Sequence, residues 1–156
     1  MSLNVELLRS SFELVTTRNP ELTKRFYEIF FSRYPQVKPM FGRNSQRQQE
    51  SMLTNALVAV IYHLEDAPWL AKTLEGLGRK HNEYGVERVM YDWVGECLIA
   101  TLKEVAGSDW NQQLEDAWVQ AYGAIVSLMW QAPQAARPRH PQPCNTCRPS
   151  APAPAR

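Results

Sequence analysis

Three side chains of this sequence have the type and spacing to hold a small ligand between two helical walls: His81, Tyr27 and Gln49. His81 continues the stripe Leu70, Leu74, Leu77 by four- and three-residue steps, so its imidazole faces inward while Arg79 and Lys80 point elsewhere. A neutral imidazole on such a face is either a satisfied core histidine or a ligand to a metal or a haem iron, whose affinity for a desolvated nitrogen lone pair is high. Tyr27 follows Phe26, and Gln49 precedes Leu53 by one helical turn. Each alone reads as a snorkelling tyrosine or a helix-start glutamine. Together with an inward histidine they read as hydrogen-bond donors aimed at a ligand on the opposite face of a planar cofactor.

The elements that must position these groups are helical throughout. Val5, Leu8, Phe12 and Val15 recur at helical spacing and give a first helix. Asn19-Pro20-Glu21 reads as an N-cap with proline at the first helical position, opening a second helix with the stripe Leu22, Phe26, Ile29 and Phe30, closed by Tyr34-Pro35. A turn through Pro39 leads to Phe41, and Gly42 to Gln48 reads as a loop or a weakly ordered helix start. Leu53, Ala56, Leu57, Val60 and Leu64 carry one long face. Pro68 opens the helix of His81, and Gly85 ends it. Val94, Leu98, Leu102 and Val105 define a fifth long helix, stopped by Gly107. Asp109 is the expected cap of the last helix, whose buried side includes Leu114, Trp118, Ile125 and Met129. No strand-like alternation is present, so the expected class is all-α with six to eight helices.

Composition bounds the function. At 156 residues, 44% hydrophobic and 21% charged, the chain is the size of one soluble domain with a real core. No apolar run is long enough to span a bilayer, and the N-terminus is an amphipathic helix rather than a secretory signal, so a cytoplasmic address is expected and a membrane partner is not. Seven of the eleven prolines lie from Pro133 onward. Residues 133–156 are therefore expected to be a disordered Pro/Ala/Arg-rich tail and residues 1–132 the folded domain. The tail holds four arginines and no acid, so a chain of net charge +1 leaves −3 for the body, which gives no electrostatic reason to expect nucleic acid. Cys97 reads as a small core residue and His63 as a surface or capping histidine. Cys144 and Cys147 form a CxxC without the strand-helix setting of a redox site; with His140 they could hold zinc weakly or bridge two chains.

The stretches ELTKRFYEIFFSRYPQVKPMF, QESMLTNAL, LGRKHNEYGV, YDWVGECLIATL and EDAWVQAYGAI, in this order and spacing, resemble the bacterial single-domain globins and the haem domain of the flavohaemoglobins over nearly all of residues 1–132. The resemblance implies a globin fold, a three-on-three helical sandwich, holding haem b (iron protoporphyrin IX). It implies that His81 is the proximal iron ligand, that Tyr27 and Gln49 stabilise the bound gas, and that Phe41 and Leu53 line the haem. Tyr91 matches a tyrosine that supports the proximal histidine. Lys80 and Tyr84 match the haem edge and propionates, and Val86 and Val94 are placed with the haem-lining positions. One departure is visible: flavohaemoglobins carry a glutamate late in the last helix that joins this proximal support, and an ungapped match puts Pro133 there. A weaker electronic push on the iron is expected from that loss.

Three functions follow from the resemblance. The first is reversible binding of O2, NO and CO with high oxygen affinity. The second is nitric oxide dioxygenation, which needs a separate reductase because no flavin or nicotinamide domain is expected in this length. The third is a haem-based redox or gas sensor acting through the tail. The chain is expected to be a monomer or a homodimer.

Overall fold

The computed structural model describes residues 3–130, and among them every regular element is a helix. The six α-helices are α1 (Val5–Arg18), α2 (Leu22–Arg33), α3 (Gln46–Tyr62), α4 (Ala67–Glu83), α5 (Arg88–Ala106) and α6 (Gln112–Met129). Two 3-10 helices, Pro35–Phe41 and Gly107–Asp109, complete the set. The tail, with Pro133, His140, Cys144 and Cys147, lies outside the described residues.

Helix ends follow local chemistry, with five departures from the sequence reading. Asn19 does not open α2: it closes α1 through its N–H to the Val15 carbonyl, and its side chain accepts from the Glu21 amide in a tight turn. α2 then begins at Leu22 without a side-chain cap. The turn through Pro39 is a 3-10 helix containing that proline. Leu64, expected on the long face of α3, lies beyond its end at Tyr62. Asp109 caps nothing; it pairs with Arg18, while Asn111 Oδ1 accepts from the Leu114 amide, 2.9 Å away, and caps α6. The weakly ordered start expected near Gln48 is a complete capping box, Ser45 Oγ accepting from the Gln48 amide at 3.2 Å and Gln48 Oε1 from the Ser45 amide at 3.1 Å. Gly85 and Gly107 end α4 and α5 with φ of +80° and +57°, the left-handed region where a Cβ is costly.

The helices stack in two layers. α1, α3 and α4 lie against α2, α5 and α6, with α1 on α5 and α6, α2 on α3, and α4 on α6, while α2 and α5 pack side by side within their layer. This is the expected three-on-three sandwich. Its main core joins Leu8, Val15, Phe26, Phe30, Val37, Cys97, Leu102 and Trp118 from five elements. Burying each large side chain contributes about 1.5–3 kcal/mol. Two polar groups inside are partnered: Trp118 Nε1 donates to Ser11 Oγ at 3.0 Å, and Thr101 Oγ1 donates to the Cys97 carbonyl at 2.7 Å. Cys97 is fully buried, and burial pushes its thiol up to about 11, so it is a core residue of low reactivity. A second, smaller apolar cluster, Val60, Leu70 and Leu74 with Leu77 and Met129 against it, belongs to α4 and its neighbours.

Candidate functional site

One wall is α4. Asp66 caps it by accepting from the Trp69 amide at 3.2 Å, and Pro68 sits in the first turn, where a missing N–H costs nothing. Leu70 and Leu74 are buried, and Leu77 and His81 continue the stripe half-buried, as the four- and three-residue steps require. His81 Nδ1 lies 2.7 Å from the Leu77 carbonyl oxygen. A carbonyl can only accept, so Nδ1 carries the proton and Nε2 keeps its lone pair. That tautomer is the one a metal ligand needs.

Tyr91, buried at the start of α5, has its ring 6.0 Å from the His81 ring and 5.8 Å from the Trp130 ring. Its hydroxyl has no hydrogen-bond partner, the one such buried side-chain atom among the described residues. Burial pushes this phenol's pKa up. The helix is locked in place by Tyr122, whose hydroxyl donates to the Tyr91 carbonyl at 2.5 Å and whose ring fills the space where a Cβ on Gly95 would sit.

The other wall comes from α2, the 3-10 helix and the first turns of α3. Tyr27 is only 4% exposed, which excludes a snorkelling tyrosine. Its ring stacks on Phe31 at 5.5 Å and meets Phe41 edge-on at 5.8 Å. Burial raises the phenol's pKa, and the polar Gln49 side chain partly opposes that rise. Gln49 is half-buried on the first turn of α3, and Leu53, one turn on, packs against the main core. The arrangement is two polar groups set in an aromatic wall.

The remaining candidates lie around these walls. Val86 and Val94 are half-buried, and Val86 N–H donates to the His81 carbonyl at 3.1 Å. Lys80 and Tyr84 are exposed. Tyr84 lies under the guanidinium of Arg43, 5.5 Å from ring centroid to Cζ, so this pair joins the end of α4 to the loop before α3. Sequence reasoning missed Arg43, which carries no periodic signal. It also missed Asn44, whose Nδ2 is 3.5 Å from Gln49 Oε1. His63 caps α3 as expected, and its ring also stacks on Trp69 at 3.8 Å across the α3–α4 turn, which the sequence did not announce.

The structure thus groups Tyr27, Phe41, Gln49 and Leu53 on one cluster and Leu77, His81 and Tyr91 around the other wall. Open depressions of about 540 and 240 Å³ run along the first turns of α3, but His81 and Tyr27 line neither. Among the described residues no three His, Cys, Asp or Glu side chains converge. A bare ion would find one ligand here, whereas a haem brings four nitrogens of its own and needs one imidazole and apolar faces. His81, its Nδ1 tied to the Leu77 carbonyl and its ring 6.0 Å from that of Tyr91, offers such an imidazole, and the half-buried Leu77, Val94, Phe41 and Leu53 offer apolar side chains.

The globin family profile matches residues 24–129. The flavohemoprotein of Bacillus anthracis is 32% identical over 124 residues, 78% of this chain and 30% of that protein. The flavohemoprotein of Vibrio cholerae is 30% identical over 127 residues, 80% of this chain and 32% of that protein. The chain therefore spans about a third of the length of these curated relatives. Among solved structures, an engineered carbene transferase, itself a candidate nitric oxide dioxygenase from Rhodothermus marinus, superposes with a TM-score of 0.70 at 27% identity, over 80% of this chain and 87% of that one. Family match, relatives and helical architecture agree: this chain belongs to the globin family.

Proposed function

We propose that the chain, through a domain of residues 1–132, binds haem b on His81 Nε2 and reversibly holds O2, and also NO or CO, on the side of Tyr27 and Gln49. The observation that supports this is the setting of His81: a half-buried imidazole whose Nδ1 lies 2.7 Å from the Leu77 carbonyl oxygen, which leaves Nε2 as the nitrogen available to a metal. Haem, when bound, supplies the iron that takes up the gas. The chain's own residues do the rest. Phe41, Leu53, Val86 and Val94 cover the apolar porphyrin, and Lys80 and Tyr84 meet its propionate edge. Tyr91 supports the His81 ring by contact, since its hydroxyl reaches no partner. Tyr27 would offer its O–H as a hydrogen-bond donor to a gas held on its side.

A hydrogen bond to a charged partner is worth about 1.5–3 kcal/mol, and about 1.4 kcal/mol is a factor of ten. Tyr27→Phe should therefore raise the O2 dissociation rate by about ten- to a hundredfold in stopped flow. An unchanged rate removes Tyr27 from this role.

Conversion of NO to nitrate is the second reading, and it is favoured by the carbene transferase's nitric oxide dioxygenase description. On this reading a partner reductase supplies the electrons, and the protein works with it in the cytoplasm. Steady-state NO consumption with an added reductase tests it. Loss of turnover in a Tyr27→Phe, Gln49→Leu double variant supports the enzyme, and turnover that ignores both changes ends it.

A further inference from the structure

α4, the helix that carries His81, packs on α6. Leu70 and Leu74 of α4 are buried with Ile125, Leu128 and Met129 of α6 against them, and buried Gly78 continues the stripe by one more four-residue step. At Gly78 no side chain separates the two helices. A Cβ there would overlap the Met129 carbonyl oxygen and lie 2.7 Å from the carbonyl carbon and 2.9 Å from the Cα, so backbone meets backbone and nothing flexible can give way. Gly76 is no such place: a Cβ on it would meet only the end of the Arg79 side chain, at 3.9 Å. His81 lies one turn past Gly78, about 4.5 Å along the helix axis. The end of α6 also reaches His81 by a second route. Trp130, which follows Met129, has its ring 5.8 Å from that of Tyr91, and the Tyr91 ring is 6.0 Å from that of His81.

We propose that Gly78 is a positioning residue for His81: by seating α4 directly on the Met129 carbonyl at the end of α6, it sets where the imidazole stands and so tunes a haem iron held by it. This rests on the proposed haem site and deepens it. One added carbon at position 78 cannot be absorbed by a change of rotamer, because the atoms it meets are main chain. The turn of α4 that bears His81 therefore shifts as a unit, and a rigid helix carries that shift over the three residues between them.

The test uses the full-length chain loaded with haemin, reduced and free of gas. It reads the iron–imidazole stretching band by resonance Raman and the CO association rate by flash photolysis. At one haem per chain, Gly78→Ala should move the band and change the rate by about twofold or more, whereas Gly76→Ala should leave both at the parent values. In a His81→Gly background with imidazole added to the solution, the iron ligand is no longer tethered to α4, and Gly78→Ala should then change neither. Met129→Gly loosens the seat from the other side, at a helix end where glycine is mild for folding, and should also shift or broaden the band. A band unmoved in Gly78→Ala or, should that variant not fold, in Met129→Gly overturns the role of Gly78 and leaves the globin reading intact. An equal shift in Gly76→Ala, or one that persists with untethered imidazole, does the same. A parent chain that takes up no haemin overturns both.

Discussion

Replacing Tyr91 by Phe should make this protein more stable, although it deletes a polar atom from a buried side chain. Tyr91 is 5% exposed, and its hydroxyl is the buried side-chain atom left without a partner among the described residues. In the unfolded chain that hydroxyl is hydrated; in the fold it gives up water and gains nothing, a cost of about 1–3 kcal/mol. Tyr91→Phe removes the cost and keeps the ring contacts with His81 and Trp130 at 6.0 and 5.8 Å. Offset by the small void left at the ring tip, the expected gain is about 1 kcal/mol, which for a chain of this size raises Tm by about 2–4 °C. Tyr122→Phe is the matched control, because that hydroxyl is used, donating to the Tyr91 carbonyl at 2.5 Å. It should cost about 1 kcal/mol, so two identical chemical changes one ring apart carry opposite signs. Urea denaturation of the haem-free protein, followed by far-ultraviolet circular dichroism, reads both as shifts in midpoint at constant slope. A Tyr91→Phe protein destabilised as much as Tyr122→Phe would show that the hydroxyl has a partner in solution and refute the reasoning.

Packing and charge give further expectations. A Cβ on Gly78 would lie 1.9 Å from the Met129 carbonyl oxygen, whereas one on Gly123 meets nothing within 4 Å. Gly78→Ala should therefore destabilise by about 2 kcal/mol or more by forcing α4 off α6, and Gly123→Ala should stabilise by about 0.5–1 kcal/mol, both checked by urea midpoints. Arg25 holds both Glu104 carboxylate oxygens at 2.7 Å across α2 and α5, and this hydrogen bonding lowers the Glu104 pKa. A depressed folded-state pKa stabilises the protein above the unfolded value, about 4.3, and the contribution disappears as pH falls through the folded value. Glu104→Gln should accordingly lower Tm modestly at pH 7, and the difference should close once pH drops well below the carboxylate range. A gap that persists in acid would mean that packing, not the ion pair, is responsible.

Much of this was legible in the sequence because long amphipathic periods outweigh local ambiguity. The Leu70–Leu74–Leu77–His81 stripe needed only its spacing, and Gly85 and Gly107 stop their helices where left-handed backbone is required. Helix starts were harder. Asn19 and Asp109 are both good cap residues, but a short polar side chain can serve either end of a helix or a turn. Asn19 serves a turn, and Asn111 is placed better than Asp109 to reach a free amide. Ser45-x-x-Gln48 was a readable capping box hidden in a polar run. The 3-10 helix Pro35–Phe41 was not readable, since seven residues are too few to show a three-residue period. At the site, buried or half-buried His81, Tyr27 and Gln49 could be named from type and stripe. The groups around them could not, because Asn44 and Arg43 sit in a loop without periodic signal, and the Leu77 carbonyl carries no sequence signal at all.

The most direct test is an absorption spectrum of the purified chain titrated with haemin, then reduced and exposed to O2, beside the His81→Ala variant. The account predicts one haem per chain with a ferrous spectrum that changes reversibly with O2, and loss of that spectrum in His81→Ala. A chain that stays colourless, or a variant whose haem spectrum matches the parent's, contradicts it.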